Sequence, residues 1–157
     1  MALPPIAELA KLKGDAKKGQ SLFLGGQGGC IGCHRVGDKG IDFAPALTEI
    51  GTKLGKDVIF DSIINPNAGI SMGFETWQIT MKNGQIAMGL MRGETNDAVT
   101  LVLPGGATNN FEKKQIADRK KLTISMMPPG LQAMFTQDDL VNLVEYLSSL
   151  KAAPVKK

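Results

Sequence analysis

The chain has 157 residues, of which 43% are hydrophobic and 21% are charged, and this suits one packed domain or one domain with an elaboration. A formal net charge of +3 is too small to indicate a protein that binds nucleic acid or a membrane surface through its charge. No apolar run approaches the ~20 residues that a transmembrane helix needs.

The N-terminal part is predicted to be an extension over residues 1–13 followed by a helix over residues 15–24. The first residues lack the basic stretch and apolar run of a secretory signal. Asp15 can cap the helix, and the pair Gly25-Gly26 can end it. Gly19 and Phe23 are four residues apart, so they share one face of this helix.

Both cysteines and the only histidine lie within the five residues Cys30-Ile31-Gly32-Cys33-His34. Cys-x-x-Cys-His is the attachment signature of haem c, in which the two thiols add to the porphyrin vinyl groups and the imidazole binds iron. We therefore expect one covalent haem c, held by Cys30 and Cys33, with His34 as an iron ligand.

Three other interpretations of this motif are weaker. A structural zinc site needs four cysteine or histidine ligands, and the chain has three. A thioredoxin-like redox pair follows a buried strand, whereas a glycine-rich stretch precedes Cys30. An inert disulfide would give no reason for the adjacent His34.

The segment after the motif is predicted to contain two short helices and then a small sheet. The helices cover residues 48–54 and 56–64, and Asn65-Pro66 ends the second because a residue before proline avoids helical geometry. From Phe74 onward apolar residues alternate with polar ones, which predicts strands. Further strands over residues 99–103 and, less clearly, 111–117 would complete an antiparallel sheet inserted at about 74–117.

The first two strands of this sheet are predicted to form a hairpin around Asn83-Gly84, since this pair favours a two-residue turn. Such a turn would set the register and place all the alternating apolar residues on one face. The predicted facing pairs are Met81 with Ile86, Ile79 with Met88, and Trp77 with Leu90.

The C-terminal part is predicted to be a helix that ends near residue 150, followed by a frayed tail over residues 151–157. Thr136, with Asp139 three residues later, resembles a capping box. An apolar stripe with helical spacing follows. Its members are Leu140, Leu143, Val144, Leu147 and Leu150.

The second iron ligand is expected to be a methionine, because no histidine other than His34 exists. Of the eight methionines, Met126 and Met127 lie in a proline-stiffened loop, Ser125 to Gly130, just before the last helix. We predict Met127, next to Pro128, with Met126 as the alternative, since adjacent residues of an extended loop point in opposite directions.

Together these motifs resemble a class I c-type cytochrome over nearly the whole chain outside the insert. The resemblance implies a mainly α fold, in which an N-terminal and a C-terminal helix cross over the haem, with the small sheet inserted into a domain of residues 14–150. It also implies roles for individual residues. Gly19 and Phe23 meet Leu143 and Tyr146 at the crossing, the Pro45 carbonyl accepts a hydrogen bond from His34, Leu47 lies on the histidine side of the haem, and Met127 is the axial ligand.

More narrowly, the chain resembles the Pirellula/Verrucomicrobium-type haem-binding domain, through the end of the second short helix, the strand-rich insert and the Met-Met-Pro-Pro-Gly loop. That resemblance implies an electron acceptor for an exported dehydrogenase and a periplasmic or otherwise exported location. The expected partners are therefore redox proteins and not nucleic acids, and no membrane-spanning segment is expected in this chain. The terminal acceptor is left open, as is whether the chain is an excised domain.

Three functions follow from these expectations. The first is one-electron transfer by a single haem with both axial positions filled, and thus no enzymatic activity. The second is a haem c peroxidase or gas sensor with a displaceable methionine, for which a distal acid–base histidine is lacking and Arg92 or Arg119 would have to substitute. The third is an interaction module in which the haem only supports the fold.

Overall fold

The fold of residues 2–154, described here from a computed structural model, combines helices with an antiparallel sheet. It is 34% helical and 23% strand, so the expected mainly α class is not confirmed. The inserted sheet accounts for the difference, because it contains one strand more than the sequence indicated. Within these residues no helix is both long and apolar enough to cross a bilayer. The α-helices are α1 (Ile6–Leu9), α2 (Ala16–Leu24), α3 (Ile50–Lys53), α4 (Lys56–Ile64) and α5 (Gln137–Ser149).

The crossing of α2 and α5 forms the centre of the helical part. Asp15 caps α2 by accepting hydrogen bonds from two backbone N–H groups, and Thr136 caps α5 in the same way through Asp139 N–H. At the crossing Gly19 lies so close to α5 that a Cβ atom there would be 1.9 Å from the Asn142 carbonyl oxygen. The predicted helix pair and its glycine contact are therefore confirmed.

Both ends of the described chain contact the rest of the domain, unlike the free extension and frayed tail that the sequence predicted. Leu9 of α1 is fully buried in the core formed by α2, α4 and α5. At the other end the Lys151 amine donates to the Gly51 carbonyl, and the Ala152 N–H donates to the Thr52 hydroxyl. The last three residues of the predicted tail, 155–157, lie outside the described residues.

A two-stranded ribbon, β1 (Arg35–Val36) with β2 (Lys39–Gly40), follows the haem motif. The insert is a separate five-stranded antiparallel sheet, whose strands are β3 (Thr76–Met81), β4 (Ile86–Glu94), β5 (Ala98–Val102), β6 (Thr108–Glu112) and β7 (Ile116–Lys121). Their order in the sheet is β6-β5-β4-β3-β7. The two edge strands, β6 and β7, are joined by only one short turn over residues 113–115. The sheet must therefore curl strongly to bring its edges together there.

The hairpin of β3 and β4 exists, but its predicted register is wrong by one residue. Trp77 lies opposite Gly89 and Ile79 opposite Ala87. A two-residue turn of the expected type needs positive φ at both central residues, and no residue other than glycine has positive φ in the described chain. Gly84 alone has it, at 89°, so the loop is one residue longer.

That shift separates residues that were predicted to share one face. Ile86 and Met88 are 62% and 40% exposed on the outside of the sheet, while Ile79 is fully buried on the inside. The predicted strand over residues 111–117 is also wrong, because Lys113 starts a turn that separates β6 from β7.

The curled sheet has an inner core and an outer contact with the helical part. Ile79, Val99 and Leu101, each fully buried, form the inner core. On the outside, Leu90 and Val102 pack against Phe43 of the loop that follows the haem motif. The insert is thus attached to the rest of the protein beside Cys33, which contacts the same cluster.

Candidate haem site

One large apolar cavity lies between the haem motif, the helical core and the insert. Its empty volume is about 1010 Å³, part of which is open to solvent. Cys30, His34, Pro45 and Leu47 line it, together with Met126 and Met127 of the methionine loop. The predicted site residues are thus brought together around one space, apart from Cys33, which is not in its lining.

The walls of the cavity come from every part of the chain. Phe23 of α2, Ile59 and Ile63 of α4, and Leu143 and Leu147 of α5 supply apolar surface. Such a lining fits a flat apolar ring, and it fits a prosthetic group far better than a polar substrate.

His34 is oriented by the loop carbonyl that the resemblance implied. Its Nδ1 lies 2.6 Å from the Pro45 carbonyl oxygen. A carbonyl can only accept a hydrogen bond, so Nδ1 carries the proton and donates it, which leaves Nε2 without a proton and able to bind a metal. Burial lowers the pKa of His34, against the opposing effect of the Pro45 hydrogen bond, and this favours the neutral ring that iron requires.

The surroundings of the two cysteines disfavour the thiolate form, which is not typical of a redox pair. Burial raises the pKa of both Cys30 and Cys33. Reactive cysteines of thiol–disulfide enzymes have lowered pKa values instead. Nor does the described part of the chain contain a cluster of three or more histidine, cysteine or acidic residues that could hold a metal. The donor set therefore fits haem better than a thiol–disulfide pair or a zinc site.

Among the seven methionines of residues 2–154, only Met126 and Met127 line the cavity. Met126 also packs against the cluster of Phe43, Leu90 and Val102 under the insert, whereas Met127 packs against the helical core. The two side chains therefore have different neighbours, as expected for adjacent residues of an extended loop.

Some cavity residues were not predicted from the sequence. Phe74 and Leu90 of the insert line the cavity, whereas Leu90 had been paired with Trp77 in the hairpin. Trp77 is not in the lining and instead lies beside two cations, Arg119 and Lys121, at 5.8 and 5.5 Å from its ring centroid. Only the tight curl of the sheet brings Leu90 to the cavity, and the hairpin pattern gives no signal for it.

The basic runs near residues 113–121 do not form an open cationic patch. Arg119 and Lys113 both pair with Glu94, and Lys121 pairs with Glu75. The remaining pairs are Lys114 with Glu112 and Lys120 with Asp118. This surface is therefore largely neutralised by its own carboxylates.

Comparison with known proteins agrees with this site. Residues 16–118, more than half of the chain, match the family described as Cytochrome c. No curated protein matches the chain. Members of the family bind covalently attached haem c, act in haem-based electron transfer and are typically exported. On the strength of this match, together with the cavity and the oriented histidine, the chain belongs to the cytochrome c family and binds haem c.

Proposed function

We propose that this protein transfers single electrons through one haem c whose iron is bound by His34 and Met127. Support comes from one observation above all: His34, with its Nε2 free, and the methionine loop line the same apolar cavity. Held by these two residues, a haem would supply one-electron redox chemistry, and the neutral thioether of Met127 would favour ferrous iron. The family match ends at residue 118, so the methionine ligand rests on the cavity geometry and the loop sequence.

The residues around the cavity suit electron transfer better than catalysis. Apolar side chains of α4, α5 and the insert would limit the access of water to a bound ring, and this would limit the reorganisation that accompanies a change of charge. No second histidine exists to act as an acid or base on a bound peroxide. Arg92 pairs with Asp42 and Arg119 pairs with Glu94, and neither arginine lines the cavity. The peroxidase alternative thus lacks its distal group.

The proposed electron donor is an exported dehydrogenase, and the proposed location is the periplasm. Both proposals rest on the resemblance to the Pirellula/Verrucomicrobium-type haem-binding domain, which the family match does not address. The donor can be sought by mixing the oxidised protein with candidate dehydrogenases and their substrates and recording the rate of haem reduction.

The ligand assignment is tested by replacing each of the two adjacent methionines with alanine. In the oxidised wild type we expect the methionine-to-iron charge-transfer band, and in the reduced protein we expect no binding of carbon monoxide. Met127→Ala should remove the band, lower the reduction potential and open the iron to carbon monoxide. Met126→Ala is the matched control, since it lines the same cavity, and it should retain the band.

Two outcomes would overturn the proposal. If Met126→Ala removes the band and Met127→Ala does not, the ligand is Met126. If the wild-type reduced protein binds carbon monoxide readily, the iron has an open position, and a sensor or peroxidase role would replace electron transfer.

A further inference from the structure

The loop that carries Met127 is held by side chains and not by a backbone ladder. Pro128 and Pro129 have no N–H to donate. The Ser125 N–H donates to the side-chain oxygen Oδ1 of Asn67 over 2.7 Å, and the Met127 N–H donates to the Ser125 hydroxyl over 3.1 Å. Within residues 2–154, no N–H of residues 123–130 is bonded to a backbone carbonyl. Besides the packing of Met126 and Met127 on the two clusters, these two hydrogen bonds are therefore what positions the loop.

Asn67 is well placed to act as an anchor for this loop. It follows Pro66 in the turn that ends α4, and this turn is closed by the bond from Ala68 N–H to the Asn65 carbonyl. Pro66 and the residues that follow Asn67, from Gly69 to Ser71, line the haem cavity. The bond from Asn67 to Ser125 thus joins two walls of the cavity.

The two hydrogen bonds connect Asn67 to Met127 through Ser125. Asn67 fixes the backbone of Ser125, and the Ser125 hydroxyl in turn fixes the backbone of Met127. We propose that Asn67 is a positioning residue that holds Met127 within reach of the haem iron, so that its amide oxygen sets how tightly the methionine is bound. This inference rests on the proposed ligation by His34 and Met127.

The expected consequence is a change in the equilibrium between bound and released methionine. A net hydrogen bond of this kind alters an equilibrium constant by on the order of tenfold. Asn67→Ala should therefore raise the fraction of haem without its methionine by about tenfold. Because Asn67 is exposed, its loss leaves no cavity in the core, and the variant should fold and bind haem.

The test compares three variants of the haem-loaded protein. Asn67→Ala removes the acceptor, Asn67→Asp retains an oxygen at the same place, and Asn65→Ala is the control. Asn65 lies in the same turn, but its side chain donates to Asp61 and does not contact the methionine loop. The readouts are the pH at which the methionine-to-iron charge-transfer band disappears, and the uptake of carbon monoxide by the reduced protein.

We expect the pH at which the band disappears to lie about one unit closer to neutrality in Asn67→Ala than in wild type. One unit is the equivalent of tenfold in a one-proton equilibrium. Asn67→Asp should restore most of the difference, and Asn65→Ala should behave as wild type. Ser125→Ala, which removes the hydrogen bond from the Met127 N–H to the Ser125 hydroxyl, should resemble Asn67→Ala. Exchange of the Ser125 amide hydrogen should also be faster in Asn67→Ala than in wild type.

The inference is overturned if Asn67→Ala and Asn65→Ala give the same band, the same pH midpoint and the same uptake of carbon monoxide. It is equally overturned if Asn67→Asp shows the same pH midpoint and the same uptake of carbon monoxide as Asn67→Ala. An acceptor oxygen at this position would then have no effect on the binding of the methionine. Failure of the proposed function gives a different result, since Met127→Ala would retain the band. The two failures are therefore distinguishable.

Discussion

The helical part and the inserted sheet of this protein obtain their stability in different ways. The helical part has a buried core of its own, and it also lines an apolar cavity, partly open to solvent, that suits a prosthetic group. The sheet instead encloses its own core, in which Ile79, Val99 and Leu101 are fully buried. We expect a haem to complete the packing of the cavity lining, whereas the inner core of the sheet is closed without it. The folded insert can thus supply part of the cavity lining before the haem is bound.

The largest expected effect comes from removing the attachment of the haem. In a variant with Cys30→Ala and Cys33→Ala, no thioether bond can form, and the apolar lining of the cavity loses the contacts that the ring supplies. We expect amide hydrogens of α2, α4 and α5 to lose most of their protection against exchange. Those of β3, β4 and β5 should retain theirs, because the inner core of the sheet is unchanged.

Hydrogen exchange measured residue by residue checks this difference. The wild-type protein with covalent haem serves as the reference. If the sheet and the helices lose protection together, the two parts form one cooperative unit, and the comparison drawn above is wrong.

A matched pair of leucine substitutions sharpens the comparison within the sheet. Leu90 and Leu101 are both buried, but Leu90 lines the haem cavity and Leu101 lies in the inner core. Each change to alanine should cost about 3 kcal/mol of unfolding free energy, as is usual for a buried leucine. Only Leu90→Ala should also change the reduction potential, since it admits water next to the ring. Denaturant titration and redox titration together measure both effects, and an equal shift of potential in Leu101→Ala would contradict the division into two faces.

The next expected effect concerns the helix crossing. A Cβ atom at Gly19 would lie 1.9 Å from the Asn142 carbonyl oxygen and 2.7 Å from the Tyr146 Cβ, so Gly19→Ala must push α2 and α5 apart. Overpacking of this kind costs about 2–3 kcal/mol. The control is Gly93→Ala in β4, where nothing lies within 4 Å of the added atom, and its stability should change by less than about 0.5 kcal/mol. A Gly19→Ala protein as stable as Gly93→Ala would show that the helices can separate at no cost.

The same two parts differ in how well the sequence predicts them. The bounds of α4 were predicted without error, because Pro66 ends the helix for a local steric reason. Asp15 and Thr136 likewise cap their helices through hydrogen bonds to nearby residues. Each of these signals acts within a few residues and is therefore visible in the sequence.

The sheet depends on choices that local sequence does not settle. Asn83-Gly84 is compatible with a two-residue turn and with a longer one in which Gly84 alone has positive φ. The wrong choice shifts the register by one residue and reverses β4 relative to β3, which is why Ile86 and Met88 were expected on the same face as Ile79. Cavity contacts such as Leu90, and the bond from Asn67 to Ser125, join residues far apart in the chain and leave no periodic pattern.

The smallest expected effect concerns two carboxylates, one in each part. Burial acts to raise the pKa of Glu145, but hydrogen bonds from Lys56 and the Gly14 N–H, with the nearby positive charges, outweigh it and leave the pKa below its ordinary value. The ionised side chain therefore stabilises the fold above the ordinary glutamate pKa of about 4.3, and this contribution is lost as the pH falls through the lower folded value. Glu145→Gln should cost on the order of 1 kcal/mol at pH 7 and progressively less on acidification.

Its counterpart in the sheet is Glu94, which pairs with Arg119 and Lys113 on an exposed surface. Glu94→Gln should have a smaller effect at pH 7, and added salt should remove it, because solvent screens exposed pairs far more than half-buried ones. Thermal unfolding of both variants and wild type, measured between pH 3 and pH 7 at low and high salt, provides the comparison. The Lys56–Glu145 pair connects α4 to α5, whereas the Glu94 pairs lie on strands that are already stabilised by the inner core of the sheet. If Glu94→Gln proved the more harmful change, surface charge and not the enclosed core would be what keeps the sheet folded.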